Sequence, residues 1–178
     1  LCPMTLEERI AASKTSIFKT VFPNTTNHYD TLFGGTAMHM MDEVAFITAT
    51  RFSRQVMVTV SSDRIDFKKA IPGGTFVELI GKVTHVGNTS LKVNIEIYIE
   101  QMYAEGRELA INGDFTFVAL DDQKQPIKVP EIIAETEEEK KYYASALRRR
   151  QLRLILAGKM KPDDATELKA LFVKEEED

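Results

Sequence analysis

Asp42 is the first residue with a chemical consequence. It sits with Glu43 inside Thr36 to Arg54, a stretch rich in Ala, Met, Phe and Ile. An ionised carboxylate is costly to bury unless something stabilises it. Asp42 is therefore a candidate general base or nucleophile. The alternative is a structural carboxylate at a helix edge or a subunit seam. Glu43 is turned by about 100° from it on a helix and reads as a solvent or interface carboxylate. Gly34 and Gly35 open the same stretch. Glycine lets a ligand approach the backbone, and the amides of a helix start lack intrahelical partners. Such amides can polarise a carbonyl oxygen; tight packing at a helix start is the other reading. A phosphate-binding loop is excluded, because its Lys and second glycine are missing.

A polar cluster precedes the glycines: Asn24, Thr25, Thr26, Asn27, His28 and Asp30. An Asn side chain there can position water or donate to an oxygen, although such clusters also serve as turns and caps. His28, His39 and His85 have no i, i+4 histidine partner, and no HExxH or Cys/His set exists, so a metal site is not expected. No GxSxG nucleophile elbow is present. Lys68 and Lys69, before the turn Pro72-Gly73-Gly74, and Arg148 to Arg150 are basic groups that can hold phosphates or simply face solvent.

These residues must be positioned by regular elements. Thr36 to Arg54 contains no helix breaker and is apolar on more than one face, which predicts a buried helix. Strands are expected over Gln55 to Phe67, Phe76 to His85 and Glu108 to Leu120, with Phe115 and Phe117 on one face of the last. Between them, Leu91, Val93, Ile95, Ile97 and Ile99 alternate with Lys92, Asn94, Glu96, Tyr98 and Glu100. That pattern predicts a half-buried strand with one wet face. A long antiparallel sheet against one central helix, an α+β fold, satisfies this order. Residues 131–178 differ, with 22 charged residues in 48. Glu135 to Leu156 reads as a helix, packed by Tyr142, Ala146, Leu147, Leu154 and Ile155. Pro162 ends or restarts it, Asp163 and Asp164 offer caps for a second short helix, and Lys174 to Asp178 are expected to fray.

The 178-residue chain carries a net charge of −4, which argues against a whole-surface nucleic-acid binder. Its one cysteine, Cys2, cannot form an internal disulfide and stands beside the terminus, a poor place for a nucleophile. No apolar run reaches about 18 residues and no basic-then-apolar leader opens the sequence. A cytoplasmic protein with neither membrane nor nucleic-acid partner is expected.

Five short pieces occur together in order. They are Asn27-His28-Tyr29-Asp30-Thr31-Leu32-Phe33-Gly34-Gly35, Met41-Asp42-Glu43-Val44-Ala45, Val58-Thr59-Val60-Ser61, Ile65-Asp66-Phe67 with Pro72-Gly73-Gly74, and Val86-Gly87-Asn88-Thr89-Ser90. In that order they resemble the hotdog-fold acyl-CoA thioesterases, in particular the bacterial acyl-CoA hydrolase group related to brain-type acyl-CoA hydrolase. The resemblance covers roughly residues 8–125, leaving 131–178 as a charged helical extension. It implies a hotdog fold and hydrolysis of fatty acyl-CoA to free acid and CoA, within fatty acid metabolism. It further implies no cofactor beyond the CoA of the substrate, and dimers assembled into a homohexamer with the active site between protomers. By the resemblance, Asn27 is the catalytic Asn, supplied by the partner protomer, and Asp42 the catalytic carboxylate. Gly35 or Gly34 supplies an amide to the thioester oxygen, and Thr59 is the polar residue near the acyl-sulfur end. Gly87, Asn88, Thr89 and Ser90 match a CoA-contacting loop. Lys68, Lys69, Arg148 and Arg149 remain the candidates for the CoA phosphates. His28 and Tyr29 are larger than the residues usual there and would narrow or tilt the acyl entrance. Longer relatives carry two hotdog domains; this chain has room for one and must self-associate. A non-catalytic acyl-CoA-binding module is the alternative. A hotdog dehydratase is disfavoured, because His28 and His39 do not match its motif.

Overall fold

The computed structural model describes Met4, residues 6–130 and residues 137–173. Cys2, the expected helix start at Glu135, the segment from Lys174 to Asp178 and the side chains of Tyr142, Ala146 and Arg150 lie outside the described residues. Contacts divide the chain into two compact units, Leu1–Ile132 and Ile133–Asp178.

In the first unit, α1 (Leu6–Ala12) leads into β1 (Lys14–Thr20). The long helix α2 (Gly34–Ser53) follows, then β2 (Val56–Phe67), β3 (Phe76–Val86), β4 (Ser90–Glu100) and β5 (Glu108–Leu120). The strands form one antiparallel sheet in the order β1-β3-β4-β5-β2. This is the α+β hotdog arrangement, with α2 packed against every strand. Ala37, Met40, Met41, Val44, Ala45, Thr48, Ala49 and Phe52 are buried, the i, i+3, i+4 spacing of one helix face. They meet Leu79, Ile95, Ile97 and Phe117, which are fully buried. Each such side chain contributes about 1.5–3 kcal/mol of burial. Gly81 on β3 permits the close approach, because a Cβ there would overlap Thr48 Oγ1 and crowd Val44. Arg54, at φ 56°, ends α2 by donating its N–H to Thr50 O.

Two expectations for this unit need correction. The helix is not buried all round: Met38 and Phe46 are exposed on the face away from the sheet. The predicted wet face of β4 is not uniformly wet either. Lys92 and Asn94 are buried, and Glu96, Tyr98 and Glu100 half-buried. Their polar groups find protein partners, as buried polar groups must. Lys92 Nζ lies 3.2 Å from Asp63 Oδ2, and Asn94 Nδ2 donates to Asn112 Oδ1 and Asp114 Oδ1. Tyr98 donates its hydroxyl to Glu96; this bond, burial and the nearby negative charge push its pKa up to about 12. β1 and α1, for which the sequence pattern carried no expectation, complete the unit. β1 is a short edge strand in which only Thr15 is buried.

At the other edge, β2 alternates with consequence. Met57 is buried toward α2, whereas Val56, Val58 and Val60 are exposed on this unpaired edge. Its register shifts between Asp63 and Asp66, where Arg64 adopts a positive φ.

The second unit contains α3 (Glu137–Leu156) and α4 (Thr166–Val173). Gly158, at φ 69°, stops α3 before Pro162 is reached, and Lys159 N–H returns to Leu154 O. Asp163 and Asp164 do not cap α4; they lie in a 3-10 turn, and the Asp163 carboxylate accepts from Lys169. Leu147, Leu154 and Ile155 are half-buried, while Gln151 is buried and accepts the Leu168 N–H at 2.9 Å. Among the described residues, no helix is long and apolar enough to cross a membrane.

Candidate active site

Asn27 begins a tight loop that delivers the chain to α2. Its N–H donates to Thr31 O at 2.8 Å, and Asp30 N–H donates to Asn27 O at 3.0 Å. The side-chain Oδ1 accepts from Tyr29 N–H at 3.0 Å, Thr31 N–H at 3.2 Å and Thr31 Oγ1 at 3.1 Å. Two fixed backbone donors therefore assign Oδ1, and Nδ2 has no hydrogen-bond partner among the described residues. Asn27 presents a donor. Asp30 makes the turn at φ 54°, a conformation Asp tolerates better than most residues.

The loop runs into the start of α2 without a side-chain cap. Ala37 N–H is the first to bond within the helix, to Phe33 O. The amides of Gly34, Gly35 and Thr36 precede it, so the start of α2 offers open donors with partial positive charge. Gly34 lines a cleft of about 320 Å³ together with Asn27, Thr31, Phe67, Lys68, Lys69, Ile71 and Ile111. Gly35 is exposed and does not line it; a Cβ there would press on the Phe33 ring at 3.3 Å.

The two lysines at the cleft differ. Lys69 Nζ donates to Glu108 Oε1 at 2.6 Å, so its charge is matched. Lys68 makes no ion pair among the described residues. Both backbone N–H groups converge on Ala110 O, which fixes this stretch against β5.

Asp42 lies elsewhere on the chain. Two turns into α2, it stands at the border between buried Met41 and exposed Glu43, and is half-buried. Thr59, on the α2 side of β2, donates its hydroxyl to Asp42 Oδ1 at 2.8 Å. No other hydrogen bond to the carboxylate occurs among the described residues. One oxygen is held and the other is available as an acceptor. Glu43, its neighbour, pairs with Lys19 at 3.0 Å.

The turn from Gly87 to Ser90 is at the same end of the sheet as Thr59, since Thr59 pairs with Phe117 and Phe117 with Leu91. It is held rigidly: Gly87 N–H donates to Ser90 O, Ala119 N–H to Thr89 O and Val129 N–H to Asn88 O. Arg148 and Arg149 belong to α3, where Arg149 donates to Ser145 Oγ. One chain thus gathers Asn27, Gly34, Lys68 and Lys69 in the cleft, and Asp42 with Thr59 at a second place. Neither Asp42 nor Thr59 lines the cleft. Thr31, Phe67, Ile71 and Ile111 were not singled out by residue type. Thr31 and Phe67 fall inside the short pieces that carry the resemblance, which gave neither a role.

The pattern of the Thioesterase superfamily matches residues 29–105. The uncharacterized acyl-CoA thioester hydrolase YkhA of Bacillus subtilis is 42% identical over 129 residues, 72% of this chain and 75% of that protein. An acyl-CoA hydrolase from Staphylococcus aureus, solved with butyryl coenzyme A, coenzyme A and coenzyme A disulfide, is 37% identical with a TM-score of 0.77; the match covers 84% of this chain and 93% of that one. Variants of that hydrolase with an asparagine, an aspartate or a threonine replaced by alanine have been solved, the asparagine variant with coenzyme A. A hexameric acyl-CoA thioesterase solved in its apo form is 36% identical with a TM-score of 0.79, covering 83% of this chain and 95% of that one.

Proposed function

The chain belongs to the Thioesterase superfamily, among the acyl-CoA thioester hydrolases, and from that premise we propose that it hydrolyses fatty acyl-CoA to the free acid and CoA with Asp42 as its catalytic carboxylate. The observation that carries the role of Asp42 is its hydrogen bond from Thr59, which orients one carboxylate oxygen and leaves the other open.

The thioester oxygen takes hydrogen bonds from the helix start at Gly34 or Gly35 and from Asn27 Nδ2. These donors stabilise the negative charge that develops as the carbonyl is attacked. Asp42 either removes a proton from the attacking water, or attacks the carbonyl itself to give an anhydride that water then opens. In both courses the C–S bond breaks, the sulfur leaves as thiolate and takes up a proton, and the carboxylate is regenerated. CoA belongs to the substrate, and no further cofactor is proposed.

Asn27 and Asp42 act from different protomers in this reading. Support comes from their separation into two half-sites, and from the exposed apolar edge of β2 with the open Met38 and Phe46 on α2. Unpaired edges of this kind invite a second copy. The hexameric state of a relative supports a trimer of dimers. Residues 8–125 are proposed as the thioesterase domain and 131–178 as its helical extension. The cytoplasm is the compartment proposed, which suits a chain whose one cysteine forms no internal disulfide.

The test is release of free CoA thiol from a panel of acyl-CoAs, beside Asp42→Asn. A positioned base is worth about 10²–10⁴ in rate. The variant should lose that factor while its fold and CoA binding persist. Wild-type turnover in Asp42→Asn would remove Asp42 from the reaction. CoA binding without turnover on any substrate by the unaltered protein would favour a binding module.

A further inference from the structure

We infer that Thr31 is a positioning residue for the reaction, acting through Asn27; this rests on the proposed role of Asn27. The Asn27 amide is asymmetric. Its oxygen receives three donors, while its nitrogen receives no partner among the described residues. A flip of the amide would set N–H against N–H at Tyr29 and Thr31, losing hydrogen bonds to the oxygen and opposing like dipoles. The two backbone donors determine which way the amide faces. The Thr31 hydroxyl supplies the third bond and closes the oxygen's remaining freedom.

The surroundings hold Thr31 in turn. It bridges to Pro72, while Leu32 N–H donates to Ile71 O and Gly73 N–H to Asp30 O. The loop is thereby latched to the turn between β2 and β3, and a Cβ at Gly73 would stand 2.7 Å from Asp30 Oδ1 and push that carboxylate aside. Thr31 Oγ1 is the one of the three donors that can be deleted without altering the backbone. Its loss lets the Asn27 side chain sample directions that miss the thioester oxygen. A donor aimed at developing charge acts mainly in the transition state, so the cost falls on kcat.

The experiment is steady-state turnover with the preferred acyl-CoA for Thr31→Val, Thr31→Ala and Thr31→Ser, alone and combined with Asn27→Ala, with melting temperatures recorded for each. Thr31→Val and Thr31→Ala should lower kcat on the order of threefold to tenfold with KM little changed, the value of one hydrogen bond. Thr31→Ser should restore kcat, because it returns the hydroxyl. With Asn27→Ala already present, Thr31→Val should cost nothing more. An equal loss in both backgrounds, or no advantage of Ser over Val, would overturn the inference, since Thr31 would then act on substrate or on the fold. An unchanged kcat in Thr31→Val and Thr31→Ala would overturn it as well. Wild-type turnover in Asn27→Ala alone is a separate failure: it removes the proposed role of Asn27 and, with it, anything for Thr31 to position.

Discussion

Asn27 is aimed by a loop, whereas Asp42 is aimed by a helix packed on a sheet. The three bonds to Asn27 Oδ1 come from residues two and four positions ahead, so local chain geometry is sufficient to orient it. The bond that holds Asp42 comes from Thr59, 17 residues away on another element, and exists only because α2 packs against β2. The loop half offers donors, namely Nδ2 of Asn27 and the helix-start amides. The helix half offers an acceptor. Nucleophilic attack on a thioester needs both, one to hold the oxygen and one to supply the base or nucleophile. In the proposed reaction the two halves come from two copies of the chain.

The assignment of Asn27 and Asp42 to different protomers is tested most directly by mixing subunits. Asn27→Ala and Asp42→Asn each keep only a small, measurable residue of activity in this reading. Subunits mixed at equal amounts and allowed to re-pair at random give heterodimers in half of the cases, each with one intact site. Activity should recover to about a quarter of wild type from two nearly inactive proteins. No recovery, with subunit exchange demonstrated by mass spectrometry, would mean that the halves meet within one chain.

A smaller effect sharpens the helix half. Thr59→Val keeps the β-branched shape but removes the donor to Asp42 Oδ1. Loss of a hydrogen bond to a charged group should lower kcat by about tenfold. Thr59→Ser should recover most of it. Equal rates for Val and Ser would make Thr59 a packing residue.

The smallest effect concerns the lysines of the loop half. Lys68 lacks an ion pair among the described residues, whereas Lys69 is matched by Glu108. Lys68→Gln should raise KM for acyl-CoA by about threefold at low ionic strength and less at high salt, with kcat unchanged. Lys69→Gln should change KM less. The reverse order would place the phosphates nearer Lys69.

The periodic elements were legible because their side chains report a single environment. The apolar residues of β4 recur every second position, and those of α2 include the i, i+3, i+4 row that is buried. Asp42 was legible because it interrupts such a row. β1 was not, since a short edge strand of Lys, Thr, Ser, Ile and Phe carries no clear period. The buried state of Lys92 and Asn94 was also hidden. A polar residue facing water and one facing a polar partner look alike in a one-dimensional pattern. The same limit explains Thr31, whose residue type is ordinary and whose importance lies in where its hydroxyl points.

The order of the central helix and the four strands after it, the charged residue in that helix and the glycines at its start were determined by the sequence alone. Hydrophobic period and backbone chemistry act over a few residues, so they can be read along the chain. Tertiary structure alone decided that Thr59 meets Asp42 and that Asn27 lines a cleft with Lys68 and Lys69. It also decided that Lys69 is matched by Glu108, while Lys68 makes no ion pair among the described residues. Those outcomes depend on distances of about 3 Å between groups whose directions are set by packing and hydrogen-bond geometry, and spacing in the sequence does not encode them.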